Sequence, residues 1–329
     1  MNLFNTFIEI ETPETNHRNV FNALSVQGYS FAKIARNNED FPVLLISSQT
    51  DRTNYSYKNI KLKYIELKHN QECKIYENDK IKYQDFTIIL LKSTDENLQK
   101  YFLGIAETLI KSLSQKPTST EVYKLFKNFV EIFRALSDVP SKTIQGLWAE
   151  LFIIDYSRNS SLLLDYWHNI PEERYDFNAG MEKIEVKSNS KLERIHIFTS
   201  EQLNPQTGQV LVASIFTKQI SKGKSINDLT QSILSKINSS ELEEKLFSII
   251  AKTLGNSLEQ GINIKFDYEL AKNSLKYYKH QDIEKIEKIY IPSKVSEVKF
   301  KSDLTELSPI SKEEVKEFNI GLFENLLIE

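Results

Sequence analysis

Residues 183–188 read Lys-Ile-Glu-Val-Lys-Ser. On a strand, Ile184 and Val186 face one side while Glu185 and Lys187 face the other, so an acid and an ammonium share a face about 7 Å apart by strand rise. Nine residues before Glu185, Asp176 lies between Tyr175 and Phe177, and Asn178-Ala179-Gly180 supplies turn residues between the two runs. A hairpin at that turn sets Asp176 roughly opposite Glu185. Two carboxylates beside a lysine suit a hard divalent cation that prefers oxygen ligands, Mg2+ first and Mn2+ as a plausible substitute. Such a cation polarises a phosphoryl oxygen and lowers the pKa of a bound water. The lysine can orient that water and offset charge developing on the phosphate.

The Glu-x-Lys spacing is not unique in the chain: Glu66-Leu67-Lys68, Glu72-Cys73-Lys74, Glu297-Val298-Lys299 and Glu314-Val315-Lys316 share it. The last falls in a helical pattern, where residues two apart do not share a face. Glu297-Val298-Lys299 is the serious rival because residues 293–301 alternate well as a strand, but the nearest upstream aspartate, Asp282, has no clear partner strand. Other chemistries fall away. The histidines His17, His69, His168, His196 and His280 show no paired metal spacing. The Walker-like Ser-Lys-Gly-Lys-Ser at 221–225 has Lys218 where the phosphate loop needs its first glycine. Neither GxGxxG nor GxSxG occurs.

The elements around residues 183–188 separate that copy from its rivals. A helix is expected over Thr143 to Tyr156, with Ile144, Leu147, Leu151 and Ile154 as its apolar stripe. Glu150 falls inside that stripe, where a carboxylate must be paired, hydrogen-bonded or facing a metal. After the motif, Arg194, His196 and Phe198 alternate with Ile195 and Ile197 on a further strand. Residues 200–203 read as a short helix and 209–217 as a buried strand. The order helix, three strands, helix, strand is the α-β-β-β-α-β core of a PD-(D/E)xK nuclease.

Four segments in this order, GLWAELF (146–152), YDF (175–177), IEVKS (184–188) and RIHIFTSEQL (194–203), resemble a family of bacterial PD-(D/E)xK-motif proteins in the restriction-endonuclease-like nuclease superfamily. The resemblance implies metal-dependent hydrolysis of DNA phosphodiester bonds, in a restriction or phage-defence setting with ATPase or methyltransferase partners. By that resemblance Asp176 and Glu185 are metal ligands, Lys187 is the motif lysine, Glu150 is the acid of the first core helix and a further ligand, and Gln202 is the glutamine after the last motif strand. Arg194 and His196 are supporting candidates. Tyr175 stands where the motif has proline. The alternative is a non-catalytic DNA-binding or assembly subunit that keeps the nuclease fold, although such a subunit has no reason to retain all three motif residues on one face.

The flanks read as follows. Strands are expected at 41–48, 61–68 and 86–92, then a helix from Glu96 to Ser114. Thr118 and Glu121 have capping-box spacing and open a helix with Val122, Leu125, Phe126, Phe129, Phe133 and Leu136 as its stripe. These place a β-rich N-terminal module at 1–116, a helical joint and nuclease core at 117–220, and a mixed α+β region at 221–329. Strand patterns are expected over 262–303 and a closing helix from Ser311. Forty-two basic and 45 acidic residues, net −3, exclude a globally basic nucleic-acid binder. A local excess remains, since 271–301 holds eight lysines against four acids. Lys272, Lys276, Lys279, Lys294, Lys299 and Lys301 are the candidate DNA contacts, interleaved with Tyr277, Tyr278 and Tyr290. One cysteine, Cys73, excludes a disulfide framework and a multi-cysteine metal site. Without a signal-peptide pattern or a long apolar run, a cytoplasmic protein with no membrane association is expected. Cutting both strands of DNA calls for two active sites, so a homodimer or a second site supplied by a partner is expected.

Overall fold

In the computed structural model the described residues are 2–326 apart from 15–16, 18, 50–56, 79, 141, 171–172, 312 and 315–320. The chain is a mixed α/β protein dividing into two units, Met1–Val139 with Gly255–Glu259, and Pro140–Leu254 with Gln260–Glu329.

The first unit runs α1 (Leu3–Ile8), β1 (Val20–Val26), β2 (Tyr29–Arg36), β3 (Pro42–Ile46), β4 (Ile60–Lys61), β5 (Ile65–Glu77), β6 (Lys80–Leu91), α2 (Glu96–Ser112) and α3 (Ser119–Ala135). The sheet order is β1-β2-β3-β6-β5-β4, and β1 also pairs in parallel with the far end of β5, which closes the sheet on itself. Phe21, Ala23, Ala35, Val43, Leu45, Cys73, Ile75, Phe86 and Ile88 form one of its cores. β5 and β6 are longer than the apolar runs suggest, because residues 80–85 of β6 are exposed on both faces and so carry no alternation. Asn70, at φ +46°, lies where the β5–β6 register slips between Lys68 and Gln71. The expected capping box is present, with Thr118 and Glu121 bonding reciprocally. α3 belongs to this unit rather than to the second: Phe129 and Phe133 pack on Phe102 of α2 at ring distances of 5.2 and 5.8 Å.

The second unit runs α4 (Ile144–Tyr156), α5 (Ser160–Tyr166), β7 (Phe177–Asn178), β8 (Glu182–Asn189), β9 (Ile195–Thr199), α6 (Ser200–Leu203), β10 (Gln209–Phe216), β11 (Gln219–Lys224), α7 (Ile226–Leu234), α8 (Ser240–Leu254), α10 (Tyr268–Ser274), β12 (Lys276–Lys279) and β13 (Lys299–Asp303), with α9 (Leu258–Gly261) straddling the division. The expected helix, strands, short helix and strand occur in that order with α5 inserted after α4, but the expected sheet is not formed. The four-stranded sheet is β12-β10-β8-β7, with β8 and β10 parallel, whereas β9 leaves it to pair with β13 in a separate ribbon. Beyond Ile184 the edge of β8 is not free for a strand, because the Val186 N–H donates to Asp176 Oδ2 at 2.8 Å.

Residues 262–303 are less strand-rich than their alternation suggests. Asp267 caps α10 through the Leu270 N–H, and much of 280–298 is irregular, with Ile289 and Tyr290 86% and 78% exposed. Alternation there finds no apolar partner to bury. Gly223 of the Walker-like run serves packing: a Cβ there would lie 2.1 Å from the Phe266 carbonyl oxygen, and Ser225 caps α7 in a capping box with Asp228. Of the expected closing helix, 315–320 and 327–329 lie outside the described residues, and Glu314-Val315-Lys316 with them in part. Phe323–Asn325 is a single 3-10 turn. It is anchored by Glu182, whose buried Oε2 accepts from the Leu322 and Phe323 N–H groups at 2.7 and 2.9 Å. Glu182→Ala orphans both donors and should cost about 1–3 kcal/mol, read as a lower urea midpoint and faster proteolysis after residue 310. Among the described residues no helix is long and apolar enough to cross a membrane.

Candidate active site

The local fold of 176–187 follows from its turn. Gly180 adopts φ +78°, its N–H donates to Asn178 Oδ1, and the Ala179 N–H donates to the Glu182 carbonyl. The register Phe177↔Ile184 and Asn178↔Lys183 then brings Asp176, just before β7, level with Glu185 on β8. Tyr175, in the motif's proline position, is buried and donates its hydroxyl to the Glu201 carbonyl, fastening this segment to α6. From α6, Gln202 donates to Glu185 Oε1 at 2.6 Å and accepts from Lys187 Nζ at 3.3 Å. Lys187 also donates to Glu185 Oε1 at 2.7 Å. Glu185 is 4% exposed, and its second oxygen, Oε2, is buried without a hydrogen-bond partner.

A second cluster adjoins Asp176. Glu150, on α4 and 3% exposed, accepts from Trp167 Nε1 at 2.8 Å and lies 2.9 Å from His168 Nε2. Trp167 forms an antiparallel bridge with Phe177, and the His168 N–H donates to the Asp176 carbonyl, so the segment after α5 is pinned alongside β7. One ligand atom each from Glu150, His168 and Asp176 lies within 4.8 Å of the others. Lys142, from the bend before α4, reaches between the carboxylates, with Nζ 2.7 Å from Glu150 Oε1 and 2.7 Å from Asp176 Oδ1. Neither Lys142 nor His168 was singled out by spacing. They lie in irregular segments whose position depends on the tertiary fold, and the only local signal is a histidine following a tryptophan at a helix end.

The electrostatics separate the three carboxyls. Burial raises the Glu185 carboxyl to about 8, against the Lys187 ammonium and with the Asp176 charge adding to the rise. Burial and the neighbouring Glu150 charge also push Asp176 up, outweighing Lys142 and the Val186 N–H. Burial acts on Glu150 as well, but Lys142 and His168 overcome it and hold this carboxyl low, at about 2. A carboxyl with a raised folded pKa binds its proton more tightly when folded. The stability Glu185 contributes is therefore complete below the ordinary carboxylate range and lost as pH rises through about 8. In metal-free protein Glu185→Gln, which cannot ionise, should melt at least about 2 °C above the parent near pH 8.5 and converge with it near pH 5.

The remaining candidates are placed elsewhere. Arg194 Nη1 donates to the carbonyl and hydroxyl of Ser214, both at 2.8 Å, and its Nη2 to the Ser274 carbonyl. His196 Nε2 lies 2.7 Å from Ser214 Oγ, and burial, with Lys187 and Arg194 adding, lowers it to about 4. Both residues tie β9 to β10 rather than reaching the carboxylates. Lys299 and Lys301 are exposed on β13 and Lys276 on β12, Lys294 is exposed, Lys279 pairs with Glu314 at 2.7 Å, and Lys272 lies over the Tyr156 ring. Tyr277 and Tyr278 are buried in the core, leaving Tyr290 as the exposed aromatic of that run. Glu297 precedes β13 at φ +57°, in a ribbon separate from the sheet of Asp176 and Glu185.

Residues 3–305 match the family described as "Putative PD-(D/E)XK family member" (DUF4420). The chain is also similar to "Endonuclease GajA" of Bacillus cereus (strain HuB5-5), 25% identical over 353 aligned positions that cover 95% of this chain and 49% of the relative. The chain thus spans about half the length of that curated relative. No solved structure matches.

Proposed function

The chain belongs to this PD-(D/E)XK family, and from that premise we propose that it is a metal-dependent DNA endonuclease with Asp176, Glu185, Lys187 and Glu150 at its centre. The observation that carries the reading is the hairpin register that sets Asp176 level with Glu185, with Asp176 joined to Glu150 through Lys142, and Glu185 paired with Lys187 and left with one unpartnered carboxylate oxygen. An oxygen-rich donor set with an orphaned Glu185 Oε2 fits a divalent cation. Glu150, His168 and Asp176, whose ligand atoms lie within 4.8 Å of one another, would hold it, with Glu185 beside Asp176 on the hairpin as a further carboxylate. An imidazole among the ligands suits a transition-metal ion better than it suits Mg2+. A cation bound there supplies Lewis acidity toward a phosphoryl oxygen and acidity to a water.

The protein's own groups do the remainder. Lys187 presents an ammonium, 18% exposed, at the edge of the cluster, where it can donate to a phosphoryl oxygen as charge accumulates during in-line displacement. Gln202 holds Glu185 and Lys187 in register by bonding to both. Tyr175 keeps Asp176 against α6. The exposed lysines of β12 and β13 supply backbone contacts that position DNA without specifying sequence. The resemblance to restriction and phage-defence nucleases extends the reading to such a system, with ATPase or methyltransferase partners and a second active site supplied by a homodimer or a partner.

The test is incubation of the purified chain, alone and with its neighbouring gene products, with plasmid DNA and Mn2+ or Mg2+, followed by end analysis. Metal-dependent scission is expected. Metal-independent DNA binding with no scission under any combination would favour the assembly-subunit alternative.

A further inference from the structure

Lys142 holds a place in the cluster that the nuclease reading does not use. Its ammonium lies 2.7 Å from both Glu150 Oε1 and Asp176 Oδ1 and 3.4 Å from His168 Nε2. It is therefore bonded to the two carboxylates, and lies against the imidazole, of the three residues whose ligand atoms cluster within 4.8 Å. Those residues are at most 6% exposed, so water cannot neutralise the two carboxylates, and the lysine is their counter-charge. A cation ligated by Glu150 and Asp176 would need the space that the ammonium fills, and two positive charges cannot share it at hydrogen-bond range. No helix or strand holds the Lys142 backbone. The residue precedes Thr143, the N-cap of α4, and its side chain is 21% exposed on the solvent side.

We infer that Lys142 is the resident cation of this site, and that a divalent metal enters only as the Lys142 side chain swings out. The inference rests on the metal-site reading above and adds a built-in competitor to it. Removing the competitor should tighten metal binding, and ejecting it should expose an amine that is otherwise shielded. The metal-free site stays satisfied by its own lysine, so the fold does not depend on metal in the way a zinc finger does.

Two measurements test this with Mn2+ alone as the probe. Calorimetric titration should show Lys142→Met binding Mn2+ about tenfold or more tightly than the parent, within the usual range of coupling between competing ligands, and Asp176→Asn binding it weakly or not at all. Should Lys142→Met not fold without metal, the parent protein carries the test. In EDTA, an amine-acylating reagent should leave Lys142 unmodified by peptide mass spectrometry, and saturating Mn2+ should make it reactive while other lysines are unchanged. Mn2+ that binds through Asp176 while Lys142 stays shielded, with no tightening in Lys142→Met, overturns the inference and leaves the metal site standing. Failure of Mn2+ to bind any of the three proteins removes the metal-site reading, and the inference falls with it.

Discussion

Asp176→Ala and Lys187→Ala should each leave the chain folded and lower metal-dependent DNA cleavage by about 10²–10³-fold or more, the usual cost of removing one group that stabilises developing charge. The two losses differ in kind. Asp176→Ala removes a carboxylate bonded to Lys142 and to the Val186 N–H, so metal affinity should fall along with activity. Lys187→Ala removes the ammonium beside Glu185 Oε1 and should leave Mn2+ affinity nearly intact while cleavage is lost. DNA binding should survive both, because phosphate contacts elsewhere dominate affinity and make it salt-dependent. Cleavage assays at saturating Mn2+, with companion subunits present, and binding at two salt concentrations make the comparison. Cleavage unchanged in both variants would move the chemistry away from this hairpin.

Glu150→Ala should be the most destabilising change in the cluster, at about 3–5 kcal/mol, the range for breaking a buried ion pair. The carboxylate accepts from Trp167 Nε1 and Lys142 and adjoins His168. Its loss leaves the indole N–H without an acceptor in a residue that is 1% exposed. Glu150→Gln keeps a carbonyl oxygen for one of these donors and should cost less while still weakening Mn2+ binding. Urea unfolding followed by the fluorescence of Trp167 and Trp148 reports the difference. Equal stability of the Ala variant and the parent would mean that Glu150 is not the anchor of this pocket.

The β7–β8 hairpin was legible because its signals are local. Alternation put Glu185 and Lys187 on one face, Asn178 and Gly180 marked the turn, and Glu150 stood out as a carboxylate inside an apolar stripe. The capping box at Thr118 was equally local. What sequence periodicity could not carry was partner choice. The Arg194–Phe198 run alternates as well as any strand, yet it pairs with β13, while Asp176 takes a β8 backbone donor. Tyr277 and Tyr278 looked like a surface pair among lysines and instead pack in the core, since β12 is an edge strand of the main sheet. Lys142 and His168 carry no motif spacing. Their meaning appears only once the bend before α4 and the segment after α5 are folded against Asp176.

The central claim, that this carboxylate cluster is a divalent-metal centre, is tested most directly by a Mn2+ soak of crystals with anomalous data. The expected peak lies among Glu150, His168, Asp176 and Glu185, with the Lys142 side chain displaced from its place between Glu150 and Asp176. An ordered ion at Glu297, or no ion at the cluster in crystals of protein that cleaves DNA in the same Mn2+ concentration, would contradict it.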